Sequence, residues 1–137
     1  MKIKIIAVGK NKDANLLALQ EKYLKRCRNW KIEIVEIAEG AKPKLPENGF
    51  IIALDERGEN LPTLQLSQKL EQAAANGKEI IFLIGAADGH SDEVRKKADL
   101  LLSFSKLTWA HMLVRLMLCE QIYRVWSLHN NHPYHRE

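Results

Sequence analysis

The last eleven residues of the chain, SLHNNHPYHRE, contain three histidines, His129, His132 and His135. Histidine binds metals and transfers protons near neutral pH, so these three residues suggest either a metal site or an acid–base site. A zinc site needs three or four ligands, and the sequence has neither a CxxC pair nor an HExxH motif to complete a set. Pro133 also interrupts any helix that would align the three histidines. A metal site is therefore the least favoured interpretation, which leaves a loose tail or part of an active site.

The apolar segment before this tail contains three charged residues, Arg115, Glu120 and Arg124. Glu120 stands four positions before Arg124, the order and spacing at which the two side chains pair on one helix face. Two interpretations stay open for the arginines. They form internal salt bridges, or one of them steers an anionic substrate.

Two glycines, Gly85 and Gly89, follow the most apolar run of the chain in LIGAADGH. Glycine at such a place lets the backbone approach a ligand closely or adopt positive φ. The loop is neither a GxGxxG fingerprint nor a P-loop, which argues against a dinucleotide or a nucleoside triphosphate. A plain turn between a strand and a helix is the alternative.

Three charged residues, Asp55, Glu56 and Arg57, follow another apolar run. Neighbouring carboxylates suggest acid–base catalysis or a metal, but consecutive residues on a turn usually point in different directions. We expect this turn to pair with itself or with solvent.

Short apolar runs alternate with amphipathic segments along the whole chain, which predicts an α/β domain with a mainly parallel five-stranded sheet flanked by helices. We predict one domain over residues 1–137. The run at residues 80–84 is apolar on both faces, so its strand belongs in the middle of the sheet. Strands are predicted over 3–9, 31–37, 50–55, 79–85 and 99–105, and helices over 15–28, 62–76, 92–98 and 108–129.

Ligands of parallel sheets lie beyond the carboxyl ends of the strands. That rule selects three loops with the sequences LDERGENLP, IGAADGHS and SFSKLTWAH. Between the second and third strands, EGAKPKLPENG contains two prolines and two glycines and is predicted to be a connector.

Composition is that of an ordinary soluble protein, with 46% hydrophobic and 28% charged residues among 137. No apolar run approaches the ~20 residues that span a bilayer, and the N-terminus does not resemble a signal peptide. We expect a cytoplasmic protein that does not enter membranes. Its two cysteines, Cys27 and Cys119, are expected to be buried and reduced.

The net charge of +4 permits contact with nucleic acid without requiring it. Charge alone favours a solvated helix face for the densest basic cluster, although such a cluster would also suit RNA phosphates. The cluster comprises Lys22, Lys25, Arg26, Arg28 and Lys31.

Three stretches taken together resemble the RlmH-type ribosomal RNA large-subunit methyltransferases of the SPOUT superfamily. They are the end LVRLMLCEQIYRVWSLHNNHPYHRE, the loop LIGAADG and the segment SFSKLT. AVGK near the start and LDERG in the middle also fit, so the resemblance covers nearly the whole chain.

The resemblance implies transfer of a methyl group from S-adenosyl-L-methionine to N3 of a pseudouridine in 23S ribosomal RNA, on assembled ribosomes. It also implies a homodimer, and an α/β knot in which the C-terminal segment forms a trefoil knot. No metal is expected, for the reasons given by the residues of the tail. A catalytically silent ribosome- or RNA-binding factor with the same fold is the alternative. The α/β pattern alone would also permit a flavodoxin-like nucleotide binder.

Carried over by position, the resemblance assigns two groups of site residues. The cofactor-binding positions are Leu54, Gly85, Phe104, Ser105, Lys106, Leu107, Thr108 and Trp109. The side of the target nucleotide comprises Arg115, His132, Tyr134, His135 and Arg136, some of them contributed across the dimer, with no single residue assigned as the base.

The chain departs from the family pattern in three places. Ala86 stands where a second glycine is expected, and Trp109-Ala110 where a Leu-Pro pair is expected. The connector at residues 39–49 is shorter than expected and lacks a helix.

Overall fold

The computed structural model describes residues 1–136, in which five strands and four helices follow one another in the order that the sequence predicts. Chain order places α1 between β1 and β2, α2 between β3 and β4, α3 between β4 and β5, and α4 after β5. Their bounds are β1 Lys2–Val8, α1 Ala14–Lys25, β2 Lys31–Ile37, β3 Gly49–Glu59, α2 Thr63–Ala75, β4 Glu79–Ile84, α3 Asp92–Lys97, β5 Leu100–Leu102 and α4 His111–His129.

The five strands form one sheet in the order β2-β1-β4-β3-β5, and every neighbouring pair is parallel. β4 lies in the middle, and its residues from Ile80 to Ile84 are all buried. The prediction of a central strand apolar on both faces is therefore confirmed, because both sides of β4 are covered by other parts of the chain.

The two faces of the sheet are covered unequally. On one face α4 packs against α1 and α2, and these helices enclose the larger core with Ile52, Phe82, Leu118 and Ile122. The other face holds a smaller core, over which α3 and the connector pack through Val94 and Leu45.

The connector between β2 and β3 contains no helix. Its backbone makes only a short turn, in which Ala41 N donates to the Ala38 carbonyl at 3.0 Å. This agrees with the prediction of a shortened connector. The knotted path of the C-terminal segment stays a prediction.

β3 runs four residues beyond its predicted end because the chain returns to pair with β5. The register of pairing between β3 and β5 shifts between Leu54 and Glu59, so that Glu59 also pairs with Leu102. Gly58 makes this return possible, since a Cβ there would lie 2.6 Å from the carbonyl carbon and oxygen of Leu101. Part of the predicted LDERGENLP loop is thus an irregular strand, and it holds Asp55 and Arg57 beside the ends of β4 and β5.

Candidate functional site

The irregular second half of β3 and the loops after β4 and β5 enclose a cleft of about 460 Å³, which we call the loop cleft. These strands are neighbours in the sheet, so the three loops that the sequence singled out come together. The walls are residues 54–57 in the second half of β3, 84–89 from the end of β4 onward, and most of 102–111 from the end of β5 to the start of α4, with Arg95 and Val114.

Seven of the eight predicted cofactor positions line the loop cleft. They are Leu54, Gly85, Phe104, Ser105, Leu107, Thr108 and Trp109. Lys106 is exposed and does not line the cleft. A run of consecutive positions cannot all face one cavity, so a single outward residue within this loop is expected.

Serine hydroxyls hold the loop after β5 in shape. Ser103 Oγ donates to the Ser105 carbonyl at 2.6 Å, and Ser105 Oγ accepts from Leu107 N at 3.0 Å and Trp109 Nε1 at 2.8 Å. The Trp109 side chain therefore restrains the loop at the place where a Leu-Pro pair was expected. These bonds keep residues 108–110 outside α4, which begins at His111 and not at the predicted Thr108.

The glycine loop after β4 turns back tightly on itself. Gly89 N donates to the Ala86 carbonyl at 2.9 Å, and Gly89 has a φ of +84°. A Cβ at Gly85 would lie 3.1 Å from the Gly89 backbone and 3.2 Å from His90 Nδ1. Burial lowers the pKa of His90, whose Nε2 lies 3.2 Å from the Leu83 carbonyl, so a neutral imidazole supports the loop.

An ion pair joins the irregular part of β3 to α3 at the edge of the cleft. Arg95 Nε donates to Asp55 Oδ2 at 2.6 Å, and Arg57 N donates to Asp55 Oδ1 at 2.9 Å. Burial raises the pKa of Asp55, but these hydrogen bonds and the two arginine charges outweigh it, so the pKa lies below its usual value. The expectation that this turn pairs with itself or with solvent was incomplete, because the shorter ion pair goes to α3.

We expect Arg95→Met to lower the free energy of unfolding by about 2 kcal/mol at pH 7, because the Asp55 side chain is 5% exposed and loses its charged partner. The pKa of Asp55 is lowered by folding, so this contribution is present above about pH 4 and is lost as the pH falls through the folded-state pKa. Urea unfolding at pH 7 and at pH 3 measures both effects. Lys96→Met, on the exposed neighbouring residue, is the control; equal stability of the two variants at pH 7 would contradict the role of the pair.

The C-terminal tail lies against α4. His132 N donates to the Ser127 carbonyl at 2.9 Å, and Tyr134 Oη donates to Glu120 Oε1 at 3.0 Å. The ring of Tyr134 packs on that of Tyr123, with 4.5 Å between centroids. Residues 132–134 are thus held by a series of contacts with one helix, and the interpretation as a loose tail is not favoured.

Glu120 and Arg124 join the tail to α4. The predicted ion pair is confirmed, with Arg124 Nε donating to Glu120 Oε1 at 2.6 Å. Arg124 Nη1 also lies 3.3 Å from His135 Nδ1, and its guanidinium carbon lies 5.0 Å from the Tyr134 ring centroid. The sequence left open whether the arginines of α4 form internal salt bridges or steer a substrate, and the spacing of Glu120 and Arg124 indicated the ion pair; neither residue was among the predicted site residues.

The three histidines of the tail have different neighbours. His129 packs edge-on against Trp30 at 5.5 Å, His132 lies 5.7 Å from the Trp126 ring, and His135 is beside Arg124. Over residues 1–136, no group of three or more His, Cys, Asp or Glu residues could hold a metal ion.

Arg115 is 2% exposed, and its bonds go to the ends of β1 and β2. Its Nη1 donates to Glu36 Oε2 at 2.6 Å, and Nη2 donates to the carbonyls of Val8 and Gly9. Glu36 Oε2 also accepts from Asn11 N at 2.6 Å. The structure therefore places Arg115 in a buried network under the start of α4, and contact with a target nucleotide stays a prediction.

A second cleft of about 540 Å³, which we call the helix cleft, lies between α1, α2 and α4. It shares Leu102, Ser103 and Phe104 with the loop cleft, and Glu120 lies in its wall. The helix cleft thus runs from Glu120, which accepts the hydrogen bond of Tyr134, to the loop cleft.

Both cysteines are buried, as predicted, and form no disulfide within residues 1–136; burial raises the pKa of each thiol to about 12. We expect Cys27 and Cys119 to resist iodoacetamide at pH 8 in the folded protein and to react within minutes in 6 M guanidinium, because the thiolate is the nucleophile. Mass spectrometry of the alkylated chain measures this. Rapid labelling of either thiol in the native protein would contradict it.

A family model described as a predicted SPOUT methyltransferase matches residues 1–135. The ribosomal RNA large subunit methyltransferase H of Methylobacillus flagellatus is 42% identical to this chain over 155 positions that cover 100% of both chains. The protein of the same name from Paramagnetospirillum magneticum is 39% identical over 151 positions, covering 99% of each.

The chain is shorter than the first of these relatives. The match of 155 positions contains 137 residues of this chain, so 155 − 137 = 18 positions have no residue here. The connector without a helix is consistent with that difference.

Among solved structures, a probable methylase family protein from Haemophilus influenzae Rd KW20 superposes with a TM-score of 0.59. It covers 98% of this chain and 70% of that protein at 11% identity, which shows a shared fold alone. On the family match and the full-length relatives, the chain belongs to the SPOUT methyltransferases, in the group named ribosomal RNA large subunit methyltransferase H.

Proposed function

We propose that this protein transfers the methyl group of S-adenosyl-L-methionine to N3 of a pseudouridine in 23S ribosomal RNA, on assembled ribosomes in the cytoplasm. Residues 1–137 would form one methyltransferase domain that acts as a homodimer. The observation that carries the proposal is the loop cleft, which gathers seven predicted cofactor positions at the carboxyl edge of the sheet. The names of the relatives support the substrate class.

The loop cleft fits a cofactor without phosphates. Its volume lies in the ~300–1,000 Å³ range of small-molecule sites. Phe104 and Trp109 supply aromatic surface, while Gly85 leaves the backbone of its loop accessible. A phosphate-binding glycine motif is lacking, which S-adenosylmethionine does not require. When bound, this cofactor supplies an electrophilic methyl group on its sulfonium sulfur.

The chain itself must hold the target base in line with that methyl group and favour loss of the N3 proton. Burial raises the pKa of Tyr134, and its hydrogen bond to Glu120 raises it further, so the phenol stays protonated and donates a hydrogen bond at neutral pH. Arg124 and the exposed Arg136 supply positive charge that would stabilise an N3 anion. His132 and His135 stand beside them as groups able to accept a proton.

A homodimer is supported by apolar side chains around the two clefts. Leu19 on α1 and Leu107 in the loop after β5 are 40% and 67% exposed and line the helix cleft and the loop cleft respectively. Leu113 on α4 is 42% exposed. The two clefts adjoin through residues 102–104, and apolar surface around one continuous groove is typical of a face that packs against a partner. A second copy on this face would bring its own tail close to the first copy's clefts.

The tail assignment predicts that His135→Ala and Arg136→Ala each reduce methylation by about 10-fold or more, with unchanged affinity for S-adenosylmethionine. The reason is that these side chains would contact the target nucleotide and not the cofactor. Steady-state methyl transfer to ribosomes, with the cofactor titrated separately, makes the comparison. Full activity of both variants would contradict the assignment of these residues to the target nucleotide.

Two measurements test the proposed chemistry. Isothermal titration with S-adenosylmethionine should show binding, while ATP and flavin mononucleotide should not bind. Mass spectrometry of nucleosides from ribosomes treated with enzyme and cofactor should show methylpseudouridine carrying the new group on N3. Binding of the nucleotides in place of S-adenosylmethionine, or a methyl group on another base, would contradict the proposal.

A further inference from the structure

The end of α1 presents a group of cations that no step described so far uses. Lys22 and Lys25 lie in its last turn, and Arg26 and Arg28 follow directly. All four are exposed. We refer to these four residues, with the half-buried Trp126 of α4, as the basic–aromatic surface; the ring of Tyr123 lies buried beneath it.

Contacts between α1 and α4 make this surface continuous. The guanidinium carbon of Arg26 lies 5.6 Å from the ring centroid of Tyr123. Tyr123 stacks on Trp126 with 5.8 Å between centroids, and Trp126 Nε1 donates to the Arg28 carbonyl at 3.0 Å. One cation, Arg26, therefore lies against an aromatic ring, and the backbone of Arg28 is fixed by Trp126, which differs from a row of lysines on a free helix face.

The same aromatic rings reach the C-terminal tail. The ring of His132 lies 5.7 Å from that of Trp126, and the ring of Tyr134 lies 4.5 Å from that of Tyr123. The basic–aromatic surface consequently adjoins the residues assigned to the target nucleotide. A nucleic-acid strand that places one base at the tail would pass over the end of α1.

The charge of this surface is largely uncompensated. Over residues 1–136, Lys25 has an ion-pair partner, the exposed Glu21 at 3.6 Å, whereas Lys22 and Arg28 have none. α3 shows the opposite arrangement, since Arg95 and Lys97 pair with acids. The end of α1 thus offers free positive charge beside the half-buried ring of Trp126.

We propose that the basic–aromatic surface binds the sugar–phosphate backbone of RNA next to the nucleotide that reaches the tail. This inference rests on the proposed function and extends it to a docking surface. Lysine and arginine neutralise phosphates and position a protein without reading sequence. Charge alone favoured a solvated helix face, and the contacts with the tail region change that interpretation.

The double variant Lys22→Gln/Arg28→Gln tests the proposal, because both side chains are exposed and the Arg28 carbonyl that binds Trp126 is kept. Lys96→Gln/Lys97→Gln on α3 removes the same charge from the opposite face of the sheet and is the control. Binding to ribosomes is measured at several salt concentrations, and affinity for S-adenosylmethionine separately.

We expect the Lys22/Arg28 variant to bind ribosomes about 10-fold more weakly at 100 mM salt. The slope of log affinity against log salt should fall by about 1.4 to 1.8, since each lost phosphate contact removes about 0.7 in single strands and about 0.9 in duplexes. The control should stay within about twofold of wild type, and all three proteins should bind S-adenosylmethionine equally. Equal affinity and equal salt slope of the two double variants would overturn the docking surface. Failure of the wild-type protein to bind ribosomes would instead overturn the proposed function.

Discussion

Gly85→Val is expected to lower the affinity for S-adenosylmethionine at least ~100-fold, which corresponds to about 2.7 kcal/mol. A Cβ at this position would lie 3.1 Å from the Gly89 carbonyl carbon and oxygen. The two further methyl groups of valine must therefore displace the glycine loop or occupy the loop cleft, which Gly85 lines. Isothermal titration of the purified variant with the cofactor measures the loss.

Ala75→Val is the control for this substitution. It adds the same kind of side chain at an exposed residue at the end of α2, outside the loop cleft. We expect its cofactor affinity to equal that of wild type within about twofold. If a folded Gly85→Val protein bound S-adenosylmethionine as tightly as the control, the cofactor would not lie against the glycine loop.

Glu120→Ala is expected to reduce kcat/KM for ribosome methylation at least ~100-fold while cofactor affinity changes less than about twofold. One oxygen of Glu120 accepts hydrogen bonds from both Tyr134 and Arg124, at 3.0 and 2.6 Å. Without it, the tyrosine loses its acceptor and the arginine loses its ion pair, so the target side loses its preorganised arrangement. Methyl transfer under single-turnover conditions, with the cofactor titrated separately, resolves the two effects.

Two further variants sharpen the interpretation of Glu120. Glu120→Gln keeps an oxygen that can accept from Tyr134, so partial activity is expected from it. Glu71→Ala removes an exposed carboxylate from α2 and should be fully active. Activity of Glu120→Ala equal to that of Glu71→Ala would show that the contacts of the tail do not matter for methyl transfer.

Much of the sheet could be predicted because burial leaves a pattern in the residues. The run at 80–84 is apolar on both faces, and this strand lies in the middle of the sheet. The alternating strand at 31–37 lies at its edge, with the predicted bounds. Ligands of parallel sheets bind at the carboxyl ends of the strands, and this rule located the loop cleft. The rule depends on strand direction and not on side-chain detail.

Contacts between distant segments could not be predicted from local pattern. β3 extends to Glu59 because Gly58 fits against the Leu101 backbone, a contact across 43 positions that periodicity does not encode. α4 begins at His111, three residues after its predicted start, because Ser105 Oγ accepts a hydrogen bond from Trp109 Nε1 and holds the preceding loop. The bond between Tyr134 and Glu120 likewise requires the tail to fold back on α4.

The measurement that tests the account most directly is transfer of a tritiated methyl group from S-adenosylmethionine to assembled ribosomes that lack the modification. With the wild-type protein we expect about one methyl group per ribosome, all of it in the large-subunit RNA. Gly85→Val and Glu120→Ala should give almost none. No incorporation by a wild-type protein that binds S-adenosylmethionine would contradict the account and favour a catalytically silent ribosome-binding factor.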